Sequence, residues 1–339
     1  MRSPRAAPQT PSARTIMDMA MAFQASRILL TACELDLFTI LAGKRLSAAQ
    51  AARAMKTNTR ATDRLLRALT AIGLLQVQRN RFSNTPVAEL CLVRRKREFL
   101  GGLLHAVHLW DSWSTLTRAV RKGTSVAPGP MHARSRDWTK PFIAAMHWRA
   151  ARQAPAVLDL LDLRGVSRVL DVGAGSGAYA MAFARAGQDT RVVAFDLPKV
   201  LRLTRSYVAD AGLLKKVSFV AGDYNRDAFG RGFDVVFLSA IVHINSPAEN
   251  VDLIRRCVAA LNPGGQLVVQ DFVMDKPRTQ PVFGALFALN MLVNTEAGDT
   301  YTEAEIRGWM KRAGLARIVR RNLDAAAATS LIVGRKPNR

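Results

Sequence analysis

The stretch that most constrains this chain is Arg168-Val-Leu-Asp-Val-Gly-Ala-Gly-Ser-Gly-Ala178. A run of Val and Leu stops at Asp171, glycines stand at 173, 175 and 177, and Ala-Tyr-Ala-Met-Ala-Phe-Ala follows. This reads as a buried parallel strand, a tight turn and a helix N-terminus. Without a Cβ the turn reaches unusual φ/ψ values and lets a ligand approach the backbone, while the unpaired N–H groups of the helix's first turn face it. The pattern predicts a turn that holds a small molecule.

From Val166 onward strands and helices alternate. Strands are expected at 167–172, 191–196, 217–222, 233–239 and 266–273, with short ones near 316–321 and 328–334 closing the sheet. The fold class is therefore α/β, a doubly wound Rossmann-like sheet whose ligand sites lie at the carboxyl ends of the strands. Asp196, followed by Leu197, ends the second strand, where a carboxylate can accept hydrogen bonds from both ribose hydroxyls of a nucleoside cofactor. Asp223 and Tyr224 follow the third strand, Ser239 ends the fourth with His243 just beyond, and Asp271 lies at the end of the fifth. The glycine spacing is G-x-G-x-G rather than the G-x-G-x-x-G of dinucleotide sites, which argues against an NAD-dependent oxidoreductase.

That spacing resembles the first motif of the S-adenosylmethionine (SAM) dependent methyltransferases. His243, Ser246-Pro247, a helix, Asn262-Pro-Gly-Gly265 and a strand ending Gln270-Asp271 resemble the O-methyltransferases of the plant caffeate and animal acetylserotonin type, particularly their bacterial relatives. The resemblance runs from about Met17 over nearly the whole chain. It implies SAM as cofactor, bound by Asp171, Gly173, Gly175, Gly177, Asp196, Leu197, Asp223, Tyr224 and Ser239, with Asp223 and Tyr224 flanking the adenine. It also implies His243 as general base and Asp271 as the carboxylate that orients it. The sequence departs from the family in reading His243-Ile-Asn instead of His-Asp-Trp. A second acidic partner of some plant members falls near Thr300, with Glu296 and Glu303 as substitutes.

The chemistry can be argued without the resemblance. Methyl transfer from a sulfonium is an in-line displacement at an already activated carbon, so the protein mainly positions the nucleophile and removes its proton. A neutral imidazole suits that task, and a carboxylate on its other nitrogen fixes the tautomer. The expected reaction is transfer to a hydroxyl of an aromatic or polyketide-like small molecule. The alternatives are an N- or C-methyltransferase and a SAM-sensing nucleic-acid-binding regulator.

At 339 residues the chain exceeds the usual single domain. Residues 1–16 read as a disordered basic tail and 17–93 as a winged-helix dimerisation domain. Residues 94–163 read as a helical bridge and substrate wall, and 164–339 as the SAM-binding domain. Within the second segment, apolar residues recur at helical spacing from Met17 to Leu41, Ser47 and Gln50 form a capping box, and a third helix spans about 61–71 before a hairpin. Phe142, Met146 and His147 on a bridge helix (141–161), and Phe287, Asn290 and Met291 on one face of a later helix (281–293), are the expected substrate-binding residues.

A net charge of +23 raises nucleic acid as a partner, and Arg60, Arg64 and Arg67 share one face of the third helix. The long apolar helix in front favours a homodimer over DNA binding. No uninterrupted apolar run approaches about 18 residues, so no membrane span is expected, and the N-terminus lacks a secretory h-region. Cys33, Cys91 and Cys257 fit no disulfide or zinc pattern, and with five scattered histidines neither predicts a metal; a cytoplasmic enzyme is expected.

Overall fold

The computed structural model describes residues 10–94, 96, 98–126, 136–323 and 328–338. The first nine residues of the expected tail, Arg95 and Arg97 of the basic run, and residues 127–135 of the bridge loop lie outside the described residues. The chain forms two compact units, Met1–Val107 and His108–Arg339.

The first unit begins with α1 (Ala13–Met21) and α2 (Phe23–Glu34), followed by α3 (Leu37–Leu41), α4 (Ala48–Met55) and α5 (Thr59–Ala71). A hairpin of β1 (Leu75–Gln78) and β2 (Arg81–Asn84) and the short α6 (Pro86–Cys91) complete its named elements before α7 (Leu103–Trp113), within which the division falls. Helix α1 starts at Ala13, inside the expected tail, because the Ser12 hydroxyl accepts the Thr15 amide as an N-cap. The expected apolar helix of 17–41 is broken at Ala22 and again at Asp36, whose φ is 55°. Ser47 and Gln50 form the predicted capping box on α4. The hairpin turns on Arg79 and Asn80, both at positive φ, the two-residue geometry that matches strand twist.

Leu37, Phe38, Leu41, Leu66, Leu69 and Phe82 are fully buried or nearly so and form the core of this unit. By contrast α1 buries nothing, and Ile16, Met17, Met19, Met21 and Phe23 stand exposed. The segment Ala13–Glu34 is by length and composition alone long enough and apolar enough to cross a membrane, although polar residues interrupt its apolar run. Arg60 and Arg64 are exposed, whereas Arg67 is engaged by Asp63 and Asn80.

The second unit continues with α8 (Leu116–Lys122) and α9 (Arg136–Asp159). The sheet strands are β3 (Arg168–Val172), β4 (Arg191–Asp196), β5 (Val217–Ala221), β6 (Phe233–Ser239) and β7 (Leu261–Asp271), with α10 (Ala178–Ala186), α11 (Pro198–Asp210) and α12 (Pro247–Ala260) between them. Beyond these come β8 (Val273–Met274), α13 (Val282–Asn294), β9 (Tyr301–Thr302), α14 (Glu303–Arg312), β10 (Ala316–Asn322) and β11 (Ser330–Arg335). The seven-stranded sheet has the order β10-β11-β7-β6-β3-β4-β5, parallel except at β10 and β11.

Strand alternation builds two cores. Leu170, Val236, Leu238, Leu267 and Val269 pack towards Leu253 and Cys257 of α12 and Trp309 of α14. Val169, Val235, Phe237 and Val268 pack on the other face with Phe183 of α10 and Val208 of α11. Because β4 and β6 flank β3 and their crossovers leave to opposite sides, a crevice opens at the carboxyl end of β3. The expected fifth strand is divided: β7 ends at Asp271, Phe272 leaves the ladder, and β8 pairs with β9 instead.

Candidate active site

At that crevice the turn after β3 is tied to the end of β4. The Gly173 and Ala174 amides donate to the Phe195 carbonyl, and the Gly175 amide donates to Asp196 Oδ2 at 2.8 Å. Asp196 Oδ1 accepts the Leu197 amide at 2.7 Å, so each carboxylate oxygen keeps acceptor capacity for another donor. Gly177, at φ 75°, caps α10, where a Cβ would sit 2.9 Å from Thr204 Cγ2. At Gly175, φ 56°, a Cβ would meet Ile143 Cδ1 at 3.9 Å, an ordinary contact distance. Burial pushes the Asp196 carboxyl up to about 6 against its two amide donors.

Asp171 lies deeper. It is 2% exposed and accepts the Ala180 amide at 3.1 Å, which braces the first turn of α10 from behind. Asp223 Oδ1 accepts the Asn225 amide, and Tyr224 places its ring beside the turn, 3.9 Å from where a Gly173 Cβ would be. Ser239 donates to Gln270 Oε1 at 3.1 Å, and Tyr179 joins the same pair.

His243 sits on a single 3-10 turn (Val242–Ile244) after β6. Its Nδ1 lies 2.8 Å from Asp271 Oδ1, and since a carboxylate only accepts, Nδ1 carries the proton and Nε2 is left with a lone pair. Asp271 also accepts the Phe272 amide and, through Oδ2, the His243 amide, so the carboxylate fixes both the ring and the backbone of the histidine. The imidazole is 6% exposed and meets the edge of Phe287 with centroids 4.8 Å apart.

The support absent from His243-Ile-Asn comes from amides the sequence reading did not single out. Asn250 of α12 donates to the Val242 carbonyl at 2.8 Å, and Asn245, 2% exposed, bonds to both Asn225 and Asn250. The Tyr301 hydroxyl donates to the Asn245 carbonyl. Gly298 lies beneath, where a Cβ would fall 2.5 Å from the His243 carbonyl oxygen. Glu303 is engaged by Arg307 and Arg320, and Thr300 gives its carbonyl to Arg278. The one acidic group on the imidazole among the described residues is Asp271.

The expected substrate residues divide. Phe142 stacks on Trp138 and Met146 is partly buried. His147 stacks on Tyr207, and its Nδ1 is 2.9 Å from Ser176 Oγ in the glycine turn; burial lowers its pKa. On α13, Phe287 faces His243, Met291 is buried, and the Asn290 amide oxygen accepts from Trp113 and Asn294.

Residues 113–316 match the family model described as an O-methyltransferase domain. The chain belongs to this family. It is a SAM-dependent O-methyltransferase, and residues 17–94 match an O-methyltransferase dimerisation domain. The enzyme is 32% identical over 329 residues to the tetracenomycin polyketide synthesis 8-O-methyl transferase TcmO of Streptomyces glaucescens, covering 95% of this chain and 96% of that one. It is 30% identical over 327 residues to the 3-hydroxy-5-methyl-1-naphthoate 3-O-methyltransferase of Streptomyces sahachiroi, covering 95% and 94%. An O-methyltransferase family structure from Burkholderia thailandensis shares the fold with a TM-score of 0.87 at 24% identity, covering 97% and 99%.

The residues present fit SAM. Gly173, Gly175 and Gly177 hold the turn at positive φ, and Asp196 has lone pairs to spare for hydroxyl donors.

Asp171 gives a pH prediction. Burial pushes its carboxyl up to about 7, well above its ordinary 3.8, so the fold favours the neutral form. The resulting cost to stability is absent below about pH 4 and complete above about pH 7, and it amounts to at most about 4 kcal/mol. Asp171→Asn should therefore gain in melting temperature relative to wild type as pH climbs through that window. A pH-independent difference between the two melting curves would show that the carboxyl is not elevated.

Proposed function

We propose that the enzyme methylates a hydroxyl of an aromatic or polyketide-type small molecule, with His243 as general base. The observation that carries this reading is the buried His243–Asp271 pair with an aromatic edge against it. Bound at the glycine turn, SAM supplies an electrophilic methyl group. Asp196 takes the ribose hydroxyls, and Asp223 and Tyr224 take the adenine. His243 Nε2 accepts the acceptor's hydroxyl proton while Nδ1–H stays on Asp271, which favours the imidazolium that forms. Phe287 supplies an apolar wall that keeps water from the imidazole.

Supplying methyl-labelled SAM with a panel of hydroxylated naphthalenes and anthraquinones should give labelled methyl ethers. Label found only on nitrogen or carbon would overturn the hydroxyl assignment.

The apolar residues of α1 and the start of α2 support a homodimer, because Met17, Met19, Met21 and Phe23 stand exposed among the described residues. Sedimentation at micromolar concentration should give a dimer, and Met19→Lys with Phe23→Glu should give monomers. A wild-type monomer that binds duplex DNA tightly, with steep salt dependence, would instead favour the regulator.

A further inference from the structure

Arg149 of α9 reaches the wall around His243. Its guanidinium carbon lies 4.9 Å from the centroid of Phe272 and 5.9 Å from that of Phe283. Phe272 in turn packs on Phe287 at 4.6 Å and lies 6.1 Å from the His243 ring, so one phenyl ring stands between the cation and the histidine.

Among the described residues no carboxylate forms an ion pair with Arg149, and no hydrogen bond holds its five donors. The nearby carboxylate, Asp271, is committed elsewhere: it accepts from His243 Nδ1, the His243 amide and the Phe272 amide. A partly desolvated guanidinium is costly unless an anion or aromatic faces meet it, and here the faces of Phe272 and Phe283 do so, without an ion pair. Burial accordingly lowers its pKa, offset in part by the charge of Asp271. The planar fork is thus pre-oriented on aromatic rings with its donors free, an arrangement suited to a carboxylate on a flat molecule.

We propose that Arg149 is a specificity-determining residue that binds an anionic group, a carboxylate, on an aromatic acceptor. This rests on the reading of the His243 pocket as the acceptor site. The cofactor's own carboxylate shares the chemistry, but the turn that holds the cofactor is tied to α9 through His147 and Ser176, whereas Arg149 sits with Phe272 and Phe283. Half-exposed Phe283, with Val282 and Leu286, gives the same wall an apolar approach for the ring system.

The test measures binding to the full-length enzyme saturated with S-adenosylhomocysteine, using 3-hydroxy-2-naphthoate and its methyl ester as probes. Wild type should bind the acid about tenfold to a hundredfold more tightly than the ester, the worth of a charge-assisted pair. Arg149→Met should abolish that preference, Arg149→Lys should keep part of it, and both should bind S-adenosylhomocysteine as wild type does. No preference for the acid in wild type, including binding of neither probe, overturns the proposal, as does a preference that survives in Arg149→Met. Loss of S-adenosylhomocysteine affinity in both variants would assign Arg149 to the cofactor's carboxylate and overturn it as well. Failure of the pocket reading looks different: the acid preference would then persist when His243 and Phe287 are replaced by Ala, with no competition between the probe and a methylated acceptor.

Discussion

His243→Ala is expected to lower single-turnover methyl transfer by about two to four orders of magnitude, the usual worth of a positioned general base. S-adenosylhomocysteine affinity should stay within about twofold, because no residue of the glycine turn and neither oxygen of Asp196 contacts the histidine. Asp271→Asn should behave differently. One amide oxygen can still accept from Nδ1, but the NH₂ then faces the His243 backbone amide, donor against donor. That variant should lose melting temperature as well as rate. A wild-type rate in His243→Ala, or a slowing that saturating cofactor restores, would remove the histidine from the chemistry and leave an acceptor that ionises unaided.

The strands that frame the crevice were legible because each is a short β-branched run ended by Asp, Gly or Ser, and such runs have few other structures open to them. The pairing of His243 with Asp271 followed from the same alternation: residues just beyond β6 and at the end of β7 become neighbours once the two strands are adjacent. The amide ladder of Asn225, Asn245 and Asn250 was not legible, since asparagines in turns carry no period and their partners are set by how three connections fold back together. The contact of His147 with Ser176 was not legible for a related reason. From Pro141 to His147 helix α9 is buried or partly buried at every position, so spacing does not tell which of its faces there meets the glycine turn. Arg149, two residues on, has nothing in the sequence to set it apart from the other arginines of a chain with a net charge of +23. What distinguishes it is its place: the ring it lies over, Phe272, packs on Phe287 beside His243.

Asp196→Ala is expected to weaken S-adenosylhomocysteine binding by about two to four orders of magnitude, the sum of two ribose hydrogen bonds to a charged acceptor. The same change frees the Gly175 and Leu197 amides that Asp196 now holds at 2.8 and 2.7 Å, so the turn loses definition along with the ribose site. Asp196→Asn separates the two effects, because an amide oxygen still accepts one of these bonds while the charge is gone. The pH dependence provides an independent check. Burial sets the free carboxyl at about 6, and ribose hydroxyls are best accepted by the ionised form. Wild-type affinity should therefore be flat above about pH 7 and fall towards tenfold per unit below pH 6, with proton release on binding in that range. In Asp196→Asn the affinity should be lower and no longer change across pH 6. Calorimetry in two buffers of different ionisation enthalpy reads both the affinity and the protons released; unchanged affinity in Asp196→Ala would move ribose recognition to another residue of the crevice.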